Sequence, residues 1–173
     1  ALAAAGTPAQ KEQIASLIDG STVAALAHDE PGSHYEMARV STRAVRSGEG
    51  WALTGAKAVV VQGDNAQLLL VSARTAGDVG SEDGISLFLV PADSAGVARR
   101  GMGRIDGGRV AEITLDNVQL GADALLGTEG QGFATLELAM GWGVLAVCAE
   151  ALGEVEVGKK DTLDYLQTRK QFG

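Results

Sequence analysis

Arg109-Val110-Ala111-Glu112-Ile113-Thr114-Leu115 places Ala111, Ile113 and Leu115 on one side of an extended chain and Glu112 and Thr114 on the other. Successive side chains of a strand point to opposite faces, so this alternation predicts a half-buried antiparallel strand. Outward from it, runs of the same kind recur at residues 23–27, 40–46, 51–54, 58–61, 68–73 and 85–90, each bounded by Gly, Asp, Asn, Ser or Pro. Short strands with turn residues between them and no helical pattern point to a compact antiparallel β-barrel or sandwich over roughly residues 21–120.

The two ends of the chain read differently. Ala1-Leu2-Ala3-Ala4-Ala5 resembles a piece of helix, and Thr7-Pro8-Ala9-Gln10 is a capping-box pair with Pro at the first helical position. Ile14, Leu17 and Ile18 then form an apolar stripe that Gly20 ends, which predicts a short helix of about three turns. Beyond Gly130-Gln131-Gly132-Phe133, the residues Val144, Cys148, Ala151, Val155, Thr162 and Leu166 recur at helical spacing, with Glu156 four residues before Lys160. A helix of about 40 residues that contains Gly141, Gly143, Gly153 and Gly158 is not stable by propensity alone and needs partner helices. The expected organisation is therefore α+β: residues 1–20 as the end of one helical domain, 21–126 as a β domain, and 127–173 as a linker and the first long helix of another.

Composition narrows the function. Fourteen Lys and Arg against 22 Asp and Glu give a net charge of −8, and the basic residues Arg99-Arg100 and Lys159-Lys160 come only in pairs, which disfavours nucleic acid. No run reaches the eighteen or so uninterrupted apolar residues of a membrane span, so no membrane insertion is expected. The one cysteine, Cys148, excludes an internal disulfide framework and suits a reducing, cytoplasmic setting. No signal-peptide pattern is visible.

Three clusters have chemical potential. His28-Asp29-Glu30-Pro31-Gly32-Ser33-His34-Tyr35-Glu36 has metal-ligand chemistry, but Pro31-Gly32 sets it on a turn and nothing fixes how its side chains face. It reads as a solvated or ligand-lining loop, and no metal site is expected. Gly127-Thr128-Glu129-Gly130-Gln131-Gly132 has the composition of a phosphate cradle without its Gly-Lys-Ser/Thr ending, so it reads as a turn before a helix. Cys148, on an apolar stripe without a nearby cation, reads as a packed thiol. Trp51 and Trp142 read as core or interface aromatics.

Several motifs, taken in order, resemble the flavin-dependent acyl-CoA dehydrogenase family. They are Gly6-Thr7-Pro8-Ala9-Gln10-Lys11, Glu30-Pro31-Gly32, Gly55-Ala56-Lys57, Gly84-Ile85-Ser86-Leu87-Phe88-Leu89-Val90, Leu115-Asp116-Asn117-Val118, Leu125-Leu126-Gly127, Gly130-Gln131-Gly132-Phe133 and Tyr165-Leu166-Gln167-Thr168-Arg169-Lys170-Gln171-Phe172-Gly173. The last of these and Val71-Ser72-Ala73-Arg74-Thr75 are similar to the subset labelled the small subunit of pimeloyl-CoA dehydrogenase.

The resemblance implies a helical domain, a β domain and a four-helix domain, with FAD between the last two. It further implies an acyl-CoA substrate, a place in fatty acid metabolism, an electron-transfer flavoprotein partner and a homo- or hetero-oligomer. In the family, a carboxylate takes the α-proton of the thioester while the β-hydrogen leaves as hydride to the flavin; that base lies downstream of the matching region, and no catalytic residue is assigned to this chain. The matching flavin-lining positions are Leu26, Asp29, Tyr35, Val59 and Val61, where Asp29, Tyr35, Val59 and Val61 stand in place of the family's Thr, Ser, Trp and Thr. The family's segment for a neighbouring subunit's FAD is intact as Arg169, Gln171 and Phe172. From this asymmetry follow two alternatives to a self-contained enzyme: a companion small subunit serving a flavin seated mainly on a partner, and a non-catalytic scaffold.

Overall fold

The computed structural model describes residues 1–173. They divide into two compact units, Ala1–Glu137 and Leu138–Gly173.

In the first unit the chain begins with three short helices, α1 (Leu2–Ala5), α2 (Pro8–Glu12) and α3 (Ile14–Ile18). The capping box forms as the sequence requires: Gln10 N–H donates to Thr7 Oγ1 at 3.2 Å and Thr7 N–H donates to Gln10 Oε1 at 3.0 Å. The expected three-turn helix is instead two helices of five residues. The break lies at Gln13, whose N–H tightens onto Gln10 O at 3.2 Å, an i→i−3 bond of the 3₁₀ kind.

Eight strands follow: β1 (Ala24–Ala27), β2 (Arg43–Ser47), β3 (Gly50–Val61), β4 (Leu68–Arg74), β5 (Ile85–Pro91), β6 (Val97–Gly103), β7 (Arg109–Leu120) and β8 (Leu125–Leu126). They form one mixed sheet in the order β6-β7-β3-β2-β4-β5-β8, with β1 added parallel to β4. All other long pairings are antiparallel. The two ends of this order do not pair, so the sheet is an open, antiparallel-dominated sandwich rather than a closed barrel. Its inner faces meet around Trp51, Leu53, Leu69, Val71, Phe88, Val90, Ile113, Leu115 and Val118, with Trp51 edge-on to Phe88 at 5.1 Å between ring centroids.

The alternation at residues 109–115 is realised: Ala111, Ile113 and Leu115 are buried while Glu112 and Thr114 are exposed. Elsewhere the boundaries differ for physical reasons. Residues 51–54 and 58–61 belong to one 12-residue strand because both pair with β7, and Gly55 between them is a position where a Cβ would lie 2.5 Å from Thr42 Oγ1. Residues 40–42 stay outside β2, since Val40 O accepts from Arg74 Nε and Val40 N–H donates to Val79 O. β6 has no sequence signature: Val97-Ala98-Arg99-Arg100-Gly101-Met102-Gly103 is largely exposed and becomes a strand by pairing with β7. The glycine-rich turn locks onto β5, with Gly132 N–H donating to Ile85 O at 2.7 Å and Gly130 N–H donating to Ser86 Oγ at 2.8 Å. Those amides are thereby occupied within the chain.

α4 (Phe133–Thr168) starts in the first unit, where Leu136 is fully buried, and makes up most of the second. Its exposed apolar residues are not confined to one stripe: Leu145, Val147, Leu152, Val157 and Leu163 join Val144, Val155 and Leu166. Cys148 is exposed, against the reading of a packed thiol, and Trp142 is exposed, which removes the core half of the core-or-interface reading. Lys160 pairs with Asp164 at 3.1 Å and not with Glu156. By length and composition alone this helix is long and apolar enough to cross a membrane.

Candidate functional site

The site grows from the junction of β3 with the loop that follows β1. Against β7, the register of β3 slips between Lys57, opposite Ile113, and Val60, opposite Ala111. Three steps on β3 oppose two on β7, which is a β-bulge. Val59 sits in it at φ +53°, a conformation that a β-branched residue adopts only under constraint. Val59 and Val61 are 60% and 54% exposed, and Val60 between them is buried. The strand therefore offers two valines outward.

The loop is tied to this bulge by its main chain. Ala58 N–H donates to Asp29 O at 2.7 Å, setting partly buried Asp29 beside the bulge. Leu26, on β1, is also partly buried. Tyr35 lies farther along the loop at φ +64° and is 94% exposed. The structure thus brings Asp29 to the Val59 bulge and leaves Tyr35 standing in solvent.

Beneath this layer lies a buried polar network that the sequence reading did not single out. Lys57 is fully buried, and its Nζ donates to Glu30 Oε1 at 2.7 Å, Ser72 Oγ at 3.0 Å and His28 O at 3.1 Å. Glu30 also accepts from Ser41 N–H at 2.6 Å and Thr42 N–H at 3.0 Å. Burial pushes the Lys57 ammonium down to about 8, against the opposing pull of Glu30. Burial alone would raise Glu30; the charge and hydrogen bond of Lys57, with those from Thr42, overcome it and hold Glu30 below its ordinary value. His28 is pushed down by burial and then by Lys57, so its imidazole is neutral at pH 7. Ser72 Oγ must accept from the ammonium and lies 2.9 Å from His28 Nδ1.

A second clamp is Arg74, buried and spread over main-chain oxygens: Nε to Val40, Nη1 to Ala76 and Asp83, Nη2 to Ala38, Val79 and Ser81, at 2.9–3.3 Å. It holds the end of the same loop to the β4–β5 connection. The sequence did carry signals for these residues, in Glu30-Pro31-Gly32, Gly55-Ala56-Lys57 and Val71-Ser72-Ala73-Arg74-Thr75. What it lacked was the pairing of Lys57 with Glu30 across 27 residues.

Arg169, Gln171 and Phe172 lie in the second unit, just past α4. Arg169 donates to Gln171 Oε1 at 3.3 Å and lies over the Tyr165 ring at 5.5 Å; Phe172 is almost wholly exposed. No group of three or more His, Cys, Asp or Glu side chains is placed to hold a metal ion. A cavity of 770 Å³ lies elsewhere, between α2 and the β7–β8 connection, and none of the sequence-predicted site residues lines it.

The outward Val59 and Val61 suit the face of an aromatic ring system. A flavin fits such a wall by its face, and its polar edge would rely on main-chain N–H donors, since the side chains at these positions carry no hydroxyl other than the Tyr35 phenol.

Comparison with known proteins bears on the same region. The family described as "Acyl-CoA dehydrogenase, middle domain" matches residues 25–118. The long-chain specific acyl-CoA dehydrogenase of Rattus norvegicus mitochondria is 35% identical over 97% of this chain and 40% of its own length. The butyryl-CoA dehydrogenase structure from Megasphaera elsdenii superposes on 99% of this chain and 46% of its own, with a TM-score of 0.92 and 28% identity. A structure described as the electron transferring flavoprotein of Acidaminococcus fermentans superposes on 99% of this chain and 46% of that one, with a TM-score of 0.91 and 28% identity. The chain spans less than half the length of each of these relatives.

Proposed function

Because this chain belongs to the acyl-CoA dehydrogenase family, we propose that it is the middle β domain, with its flanking helices, of an enzyme that removes two hydrogens across Cα–Cβ of an acyl-CoA thioester using FAD. The single observation that carries this reading is the family match over 25–118, which contains the loop and bulge just described. Bound there, FAD would supply the two-electron acceptor for the hydride.

In this reading residues 21–126 are the β domain, and Leu26, Asp29, Val59 and Val61 form its wall against the ring, with Tyr35 at the rim. Shielding by two valines excludes water from one ring face, while Asp29 is held by its main chain. Arg169, Gln171 and Phe172 reach the pyrophosphate and adenosine of a neighbouring subunit's FAD. Arg169, whose guanidinium makes one side-chain hydrogen bond, to Gln171, keeps further donors for a phosphate. The parent protein is an oligomer that passes electrons to an electron-transferring flavoprotein and works in a bacterial cytoplasm, in fatty acid metabolism. The apolar surface of α4 is taken up by further helices of a bundle rather than by a membrane; the solved relatives cover 99% of the chain, this helix included. The enzymatic names of the relatives favour an enzyme over a scaffold or companion subunit.

The test is the visible spectrum of the full-length protein, alone and with candidate partners. A yellow protein bleached by an acyl-CoA is expected. Colourless protein under all conditions would remove this reading and leave the scaffold.

A further inference from the structure

We infer that Lys57 is a positioning residue for the cofactor wall: through Glu30, Ser72 and His28 it holds both ends of the 28–42 loop on β3, and so sets Asp29 and the Val59 bulge against a bound flavin. The inference rests on the flavin reading above and adds to it a residue that does not touch the ring.

Its basis is geometric. The three ammonium protons of Lys57 meet three acceptors on two segments: His28 O at the start of the loop and Glu30 just inside it, and Ser72 on β4. Glu30 spends its remaining capacity on Ser41 and Thr42, where the loop ends. One ion pair therefore fastens both ends of a loop to the strand that, at its next two residues, forms the bulge. The Ala58 N–H to Asp29 O bond is the direct seam, and it lies between Lys57 and Val59 in sequence. A buried pair is costly to desolvate, and an apolar replacement of similar shape is commonly as stable. What an apolar pair could not supply is direction, because it makes no hydrogen bonds to the main chain at His28, Ser41 and Thr42.

The experiment uses the full-length protein and compares wild type, Lys57→Met, the double variant Lys57→Met/Glu30→Gln, and Ser72→Ala. Three quantities are read: thermal unfolding of the apoprotein, FAD affinity with the shape of the bound flavin's visible bands, and hydrogen exchange at Ser41, Thr42 and Ala58. The double variant, which leaves no orphaned charge, should unfold closer to wild type than Lys57→Met does, yet bind FAD about tenfold or more weakly than wild type, with blurred bands and faster exchange at those three amides. Wild-type affinity, bands and exchange in a folded double variant would overturn the inference. Where the double variant does not fold, Ser72→Ala decides: weaker FAD binding with faster Thr42 exchange supports it, and no change in either refutes it. Where the wild type binds no flavin, the functional reading fails separately, and exchange alone decides whether Lys57 holds the loop.

Discussion

The loop–β3 junction and the β6–β7 hairpin use the same ingredients, a basic and an acidic side chain brought together across strands, and put them to opposite ends. At the junction, Lys57 and Glu30 are 0% and 5% exposed and meet at 2.7 Å with every remaining polar atom engaged. On the hairpin, Arg100 and Glu112 meet at 2.5 Å while 69% and 47% exposed, and Arg104 pairs with Asp106 in the same exposed manner. Water screens the second kind and already solvates its groups, so contact there adds little. Without water, each charge depends on its partner, and the segments carrying them must keep their places. Similar distances thus describe a structural clamp in one region and a decorated surface in the other. Burial, not distance, makes the difference.

The comparison breaks most visibly at Lys57. Lys57→Met leaves the Glu30 carboxylate buried without its counter-charge and should cost about 3–5 kcal/mol, read as a lower urea midpoint of the full-length protein. A loss below about 1 kcal/mol would mean that the pair is solvated like those on the hairpin. Gly55→Ala tests the packing beside the clamp: its Cβ would lie 2.7 Å from Thr42 Cα, so the loop end would have to move, at a cost of about 1–3 kcal/mol by the same measurement.

Acid should find the same contrast without a mutation. His28 is depressed in the folded state, so the unfolded chain takes up its proton first, and stability should fall as pH drops through about 6.5. Glu30 is depressed as well; its contribution is complete above the unfolded carboxylate value of about 4.3 and is lost as pH falls through the lower folded value. Melting followed from neutral pH down to about pH 2 should show both declines in wild type, and the upper one should vanish in His28→Gln. The smallest effect belongs to the hairpin: Arg100→Ala should change stability by no more than about 0.5 kcal/mol, and less in high salt. A loss several times larger would show that the hairpin's ion pairs carry structure after all.

Local pattern settled much of this molecule in advance. Alternation at residues 109–115 marked β7, the bounded apolar runs marked β4 and β5, and Thr7 with Gln10 marked the start of α2. In each case the determining interactions lie within a few residues, so the side chains themselves encode the outcome. The order of motifs likewise carried the family, and with it the stretch containing Asp29 and Val59. Tertiary structure alone decided the rest. β6 became a strand because β7 offered it a ladder, and two apparent strands joined through Gly55 because both pair with β7. The Val59 bulge arises from a register slip between strands roughly fifty residues apart in sequence, and the Lys57–Glu30 pair exists only once the loop after β1 is folded onto β3. The physical reason is one of range: propensity and capping act along the chain, whereas burying a charge is tolerable only when distant segments have already closed around it.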